Sequence, residues 1–294
     1  MQHWFERAGL RVEREGEVFT TEIPIRWSDL DALGQVNNST YFDYLQDARV
    51  DFLLDGGITQ MLEQGVLAVG HTIAYREPMR WSSEPVQVHV VMLDRGAARF
   101  RVGYLVTHDE QLCAIAASTL VPYDIAAQRL RRITPEEAAH FDRFTWTVER
   151  PFRELPRPSL QGRGLELPVL TRWSDIDAQH HVNNVRMLDY FQEARIVLAA
   201  AADPDALPWV IAQQEVEYVN QMRFRRDPYR VTTAVTHLGR TSLAVASELV
   251  EPDSGTLIAR SRMALVRVDE QGHPILIPDA VRSSLGDYLL PAES

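Results

Sequence analysis

The sequence predicts an α+β protein written twice on one plan: a strand, one long helix, then four antiparallel strands. Three observations predict it. First, Arg26-Trp27-Ser28-Asp29-Leu30-Asp31-Ala32-Leu33-Gly34-Gln35-Val36-Asn37-Asn38 recurs without a gap, 146 positions on, as Arg172-Trp173-Ser174-Asp175-Ile176-Asp177-Ala178-Gln179-His180-His181-Val182-Asn183-Asn184. Second, each run leads into a stretch with helical spacing of its apolar residues. Third, each helix is followed by four segments with the alternation of half-buried strands. A lone helix beside an antiparallel meander must lay its apolar stripe on one face of the sheet.

In chain order, residues 1–20 carry no clear pattern, and Val18–Trp27 reads as a strand entering the first motif. Tyr41, Tyr44, Leu45, Ala48, Phe52 and Leu53 then form a helical stripe, with Asp43, Gln46, Asp47 and Arg49 between them. Asn37 or Asn38 supplies an N-cap oxygen, and Gly56-Gly57 ends the helix. Strands follow at Leu67–Tyr75, Pro85–Leu93, Ala98–Thr107 and Gln111–Tyr123; His108-Asp109-Glu110 is short enough to turn a hairpin.

Copy two repeats the order: a strand at Leu165–Arg172, a helix from about Asn184 to Ala202, and strands near Trp209–Tyr218, Pro228–His237, Thr241–Val250 and Thr256–Val268. The likeness persists in Asp43-Tyr44, Gln46 and Ala48-Arg49 against Asp189-Tyr190, Gln192 and Ala194-Arg195, and in Tyr75, Met79-Arg80 and Pro85 against Tyr218, Met222-Arg223 and Pro228. The expected division is a first unit over residues 1–124, a linker over 125–163 and a second unit over 164–294. Within the linker, Thr134-Pro135-Glu136-Glu137 opens a short helix, and Pro151 to Pro158 is a stiff extended stretch.

The chain has 294 residues, 45% hydrophobic and 24% charged, as expected of a soluble globular protein. The repeat is far longer than the ~20–50 residues of solenoid units, so each copy can bury its own core. With 30 basic and 41 acidic residues the net charge is −11, against a nucleic-acid partner. The lone Cys113, in Leu112-Cys113-Ala114-Ile115-Ala116, reads as a buried strand residue. Nothing resembles a leader or a membrane span, so a cytoplasmic protein is expected.

The doubled motif, opening a helix that contains Tyr and ends Ala-Arg, resembles the acyl-CoA thioesterases of the 4-hydroxybenzoyl-CoA thioesterase type. Copy two, through Asp177, Gln179, His181 and Asn183-Asn184, is also similar to the plant acyl-ACP thioesterases. The resemblance implies the hotdog fold, a long helix wrapped by an antiparallel sheet, here as a tandem double hotdog. It implies an acyl-CoA or acyl-ACP substrate, no cofactor, and a pair of units joined covalently; further association of such chains stays open. The acyl-ACP thioesterases carry a later glutamate where this chain has Pro78 and Gln221, with Glu77 one place off. That departure favours a simpler mechanism centred on an aspartate.

The chemistry asks for a base or nucleophile beside donors for a developing oxyanion. Amides and the dipole at a helix N-terminus favour negative charge, which points to Val182, Asn183 and Asn184. Asp177 lies just upstream and can act as general base or as nucleophile; the resemblance puts the catalytic aspartate at this position. It also gives His181 the role of orienting substrate or water. Asp29 and Asp175, two residues earlier in an expected extended stretch, read as structural hydrogen-bonding residues. Copy one has Gln35 where copy two has His181, and glutamine cannot shuttle protons. The site at Asp177 is therefore expected to be the active one; Asp31, with Gln35 and Asn37, forms a weaker counterpart. Arg223 and Arg225 are candidates for phosphate, Arg129, Arg131 and Arg132 form a second basic cluster, and Phe42, Leu45, Met187, Leu188 and Phe191 are candidates for the acyl tail. No ligand set with zinc-like spacing is present. A binding protein that kept the fold without the chemistry, and a hotdog dehydratase, are the competing readings.

Overall fold

The computed structural model describes residues 2–149, 152–177, 179–203 and 209–291. It forms two compact units, Met1–Arg153 and Glu154–Ser294. In the first, a helix α1 (Gln2–Arg7) and short strand β1 (Val12–Arg14) precede β2 (Phe19–Ile23). The long helix α2 (Thr40–Leu54) and a short α3 (Thr59–Gln64) follow, then β3 (Val66–Tyr75), β4 (Val86–Arg95), β5 (Phe100–His108) and β6 (Gln111–Asp124). The sheet runs β2-β4-β5-β6-β3, every pair antiparallel. Asp109 and Glu110 take φ of 47° and 58°, giving the two-residue turn whose twist matches the strands it joins.

Helix α2 buries Tyr41, Phe42, Tyr44, Leu45, Ala48, Phe52 and Leu53. Each large apolar side chain so buried contributes about 1.5–3 kcal/mol. Its N-cap is Ser39 and not Asn37 or Asn38 as the sequence suggests; Asn37 stands just upstream, where its Oδ1 accepts from the Ser39 N–H at 3.2 Å. Cys113 is buried, and burial pushes its thiol up to about 12, so it is an inert core residue.

The chain opening is ordered, contrary to its patternless sequence. Phe5 of α1 stacks on Trp146 at 4.7 Å, and the two join Val91, Leu105 and Ile115 in a cluster on the sheet. Six residues of helix are too few to show a period. After a two-residue strand β7 (Arg129–Leu130) comes α4 (Pro135–Arg143), then β8 (Thr147–Val148). Thr134 and Glu137 cap α4 reciprocally, and Arg131 grips Glu137 with two bonds of 2.9 and 2.7 Å. Phe141 of α4 packs on Phe100 at 4.8 Å and on Phe52 at 6.3 Å. The stretch expected to be linker is thus divided. Residues up to Arg153 join the first unit, and residues from Glu154 open the second, with Leu160 fully buried against Ala234 and Ala246. Pro151 lies outside the described residues.

The second unit repeats the plan: β9 (Leu165–Val169), α5 (Arg186–Ala202), β10 (Trp209–Tyr218), β11 (Tyr229–Leu238), β12 (Ser242–Glu251), β13 (Thr256–Arg267) and α6 (Asp279–Gly286). Its sheet order β9-β11-β12-β13-β10 matches that of the first. Even the irregularities recur: strand register slips between Ala68 and Gly70 and between Ile211 and Gln213, then between Met92 and Asp94 and between Val235 and His237. The helix α6, unforeseen from sequence, is the counterpart of α4. After α4, the Met92 N–H donates to Phe144 O and the Trp146 N–H to Met92 O; after α6, the Val235 N–H donates to Tyr288 O and the Leu290 N–H to Val235 O.

Two buried histidines give the fold a pH dependence. His71 pairs with Ser118 Oγ at 2.7 Å, and His89 with Thr20 and Thr107 at 2.9 and 3.1 Å. Burial lowers both, His71 well below the usual imidazole range and His89 to about 4. The unfolded chain takes up these protons near pH 6.5 while the folded chain does not, so stability falls as pH drops from about 6.5 toward 4. Denaturation at pH 7 and pH 5 should show the loss, and His89→Gln should reduce it by on the order of 1–2 kcal/mol. A His89→Gln chain with the same pH slope as the native one would contradict this.

Candidate active site

Between β9 and α5 the motif does not run extended, as expected, but folds into a single 3-10 turn at Trp173–Asp175 followed by a tight loop. The aspartate read as structural holds that turn. Asp175 Oδ2 accepts from the Arg172 N–H at 2.7 Å and from the Tyr190 hydroxyl of α5 at 2.6 Å. Its carbonyl accepts from the Asn183 N–H at 2.8 Å. Burial, then the bond to Asp175, raises the Tyr190 phenol far above its ordinary range, so it remains a donor.

Asp177 begins the loop. Its N–H donates to His181 O at 2.8 Å and its carbonyl accepts from the His180 N–H at 3.1 Å, closing a turn. Its side chain turns into that turn: Oδ1 accepts from the Gln179 and His181 N–H groups at 2.8 and 3.3 Å. The carboxylate is thereby anchored by one oxygen, and Oδ2 takes no hydrogen bond from the described residues. His180 sits at the left-handed position, φ 62°, where copy one has Gly34 at φ 69°. That conformation costs a residue with a Cβ about 1–2 kcal/mol.

The expected oxyanion donors fare unequally. The Val182 N–H donates to Met222 O and the Asn183 N–H to Asp175 O, both at 2.8 Å, so these two amides are spent on the loop. The sequence could not show this, because both acceptors are set by the fold. The Asn183 side chain instead offers a donor. Its Oδ1 accepts from the Val185 N–H at 2.9 Å, which fixes the carboxamide orientation and leaves Nδ2 as the donating end. Asn184 is held through its carbonyl by the Tyr218 hydroxyl at 2.8 Å. Asp177, His181 and Asn183 thus follow one another within the loop that leads into α5.

A family profile described as thioesterase-like superfamily matches residues 25–142 and 171–285. The chain belongs to that superfamily. Both matches run through the short terminal helix of a unit, as the packing of α4 and α6 requires. Solved structures agree on the double-hotdog fold. A 12:0-ACP thioesterase from Umbellularia californica superposes with a TM-score of 0.65 at 18% identity, covering 85% of this chain and 94% of its own. An acyl-ACP thioesterase from Bacteroides thetaiotaomicron gives 0.64 at 14%, covering 84% and 97%. A protein provisionally named oleoyl thioesterase, from Lactobacillus plantarum, gives 0.70 at 18%, covering 87% and 98%. Among curated proteins nothing matches.

The first member of this thioesterase-like pair repeats the geometry with different chemistry. Asp31 Oδ1 accepts from the Leu33 and Gln35 N–H groups at 2.8 and 3.1 Å, and Asp29 Oδ2 accepts from Arg26 N–H and Tyr44 hydroxyl. The backbone of Gln35 forms an isolated antiparallel bridge with Arg80, and Asn37 Oδ1 accepts from the Ser39 N–H just ahead of α2. The arginine candidates separate. Arg225 is held by Glu251 at 3.1 Å and by Asp253, carboxylates that would oppose a phosphate. Arg223 has an exposed side chain and directly follows Met222, the partner of Val182. Arg131 is committed to Glu137. Sequence reading passed over Trp173, which is 74% exposed and meets Phe224 edge to face at 5.4 Å beside the loop. The same exposed aromatic stands in copy one as Trp27, at 78%, which was the available signal. No His/Cys/Asp/Glu group able to hold a metal occurs among the described residues, and no described helix is long and apolar enough to cross a membrane.

Proposed function

We propose that the chain is a thioesterase that hydrolyses an acyl-CoA to the free acid and coenzyme A at the loop before α5. The observation that carries this reading is the anchoring of Asp177 by Oδ1 alone, which leaves Oδ2 to act on a neighbouring group. In the reaction water adds to the thioester carbonyl and the C–S bond breaks. Asp177 takes the proton from that water as general base, or attacks the carbonyl itself to give an anhydride that water opens. His181 orients water or carbonyl, and Asn183 Nδ2 donates to the oxyanion, a contribution worth ~3–4 kcal/mol in the barrier where such a donor is preorganised. Arg223 is the better placed of the two arginines for a coenzyme A phosphate. The Asp31 site, with Gln35 in place of the imidazole, binds without turning over.

A second reading, an acyl-ACP thioesterase, is favoured by one observation: chains bearing that name share the two-unit architecture over nearly their full length. Purified protein should release free thiol from a panel of acyl-CoA and acyl-ACP esters of graded length. Turnover of CoA esters alone or of both supports the first reading, turnover of ACP esters alone the second, and no turnover of either would defeat the hydrolase assignment.

A further inference from the structure

The two units differ in what lies between the long helix and the sheet at its far end. In the second unit Leu198, Ala199 and Ala202 of α5, Leu243 and Leu265 of the sheet and Leu285 of α6, with Arg195, line an apolar cleft whose enclosed room is about 20 Å³ and which reaches about 340 Å³ only with its open mouth counted. In the first unit the same space is full. Aligning the repeats puts Phe52 at the place of Leu198, Phe100 at that of Leu243 and Phe141 at that of Leu285. Those three rings are fully buried and stack or tilt on one another at 4.8 and 6.3 Å, with Phe144 edge-on to Phe52 at 5.1 Å. Three Phe-to-Leu exchanges at one locus remove three rings from one core, and Trp209, at the place of Val66, returns one. Ordinary packing would fill that space, since interiors are close-packed.

We infer that the cleft between α5, α6 and the sheet of the second unit holds the distal part of a straight-chain acyl group, and that the first unit is closed to such a chain by Phe52, Phe100 and Phe141. The inference rests on the thioesterase reading for the identity of the ligand. The lining is aliphatic apart from the aromatic Trp209 and the charged Arg195, which suits methylene rather than polar groups. It also stands at a useful distance. Arg195 lies nine residues beyond the first residue of α5, so the cleft begins about 14 Å along the helix from the loop of Asp177. An extended chain advances ~3.5 Å per three atoms, so about twelve atoms span that length. Chains shorter than this end before the cleft; longer ones enter it.

The test is to fill the cleft as the first unit is filled. Leu198→Phe and Leu243→Phe, with Leu285→Phe as a third variant on the opposite wall, are compared with the native chain in two assays. One is binding of the fluorescent fatty acid cis-parinaric acid, displaced by hexadecanoic acid; the other is hydrolysis of butanoyl-CoA and hexadecanoyl-CoA. Excluding two methylenes from the cleft already amounts to about tenfold in affinity. Expected, in variants whose melting curves remain cooperative, is at least that loss of parinaric acid binding and an equal fall in the long-to-short ratio of kcat/KM, with butanoyl-CoA turnover unchanged. Native binding of the probe in all the folded variants would overturn the inference, as would a native chain that binds no probe. A chain that binds the probe, loses it on filling and yet hydrolyses no thioester would keep the cleft and defeat the hydrolase reading. The reverse, unchanged chain-length preference in active variants, would defeat the cleft alone.

Discussion

Hydrolysis by an Asp177→Asn chain is expected to fall by about 10²–10⁴-fold, the range for loss of a general base, with no change in melting temperature. The separation of effects follows from the loop. Asparagine keeps the Oδ1 that accepts from Gln179 and His181, so the turn survives, and it replaces only the oxygen that is unshared. Asp177→Ala removes both, and should lose stability as well as turnover, by about 1 kcal/mol for the two partly solvated amides. Asp31→Asn makes the same exchange in the same geometry, where Gln35 replaces the imidazole, and should leave turnover near native. Steady-state kinetics with melting curves decides the matter. An Asp177→Asn chain with native kcat/KM would remove this aspartate from the chemistry.

Asp175→Ala is expected to destabilise the second unit by about 2–4 kcal/mol, a large share of the 5–15 kcal/mol of a typical fold. Asp175 is 9% exposed, and its loss strands the hydroxyl of Tyr190, itself 8% exposed, and the Arg172 N–H. Tyr190→Phe strands the carboxylate instead. Because each single change orphans the other partner, Asp175→Ala with Tyr190→Phe should cost clearly less than the two added together. Urea unfolding of the four chains measures this, and strict additivity would show that the 2.6 Å contact carries no coupling.

Most of the fold could be read because each strand alternates and each was written twice. The starts and ends of β3 through β6 and of β10 through β13 fall within about two residues of the expected positions. The helix α4 was read correctly as a helix from its capping box but assigned to a linker. Its partner α6 keeps only Pro278-Asp279 as an echo of Pro135-Glu136 and has neither the capping threonine nor the reciprocal glutamate, so the capping box that marks α4 is missing there. The 3-10 turn was missed because Trp-Ser-Asp fits an extended chain as well as a turn. At the site, residue types were visible and hydrogen bonds were not. Nothing local says that the Val182 amide meets Met222, or that Arg225 is claimed by carboxylates 26 and 28 residues later. The cleft was the least legible feature, since Leu198 and Phe52 are both apolar residues of a long helix and differ only in bulk.

The shared strand slips carry a last consequence. Repeats that drifted apart this far in sequence kept their register irregularities and changed length only between elements, most of all after the long helix. Equivalent residues stand 146 positions apart through Arg49 and Arg195, 143 apart from Tyr75 and Tyr218 to Val106 and Leu249, and 145 apart on the next strand, where Ala114 and Ala259 hold the same ladder position. Three residues were gained or lost between the long helix and the strand after it, while the bulged strands absorbed none. That interval is where an engineer should splice in a tag or a reporter, and the bulged strands are where such an insertion would be rejected.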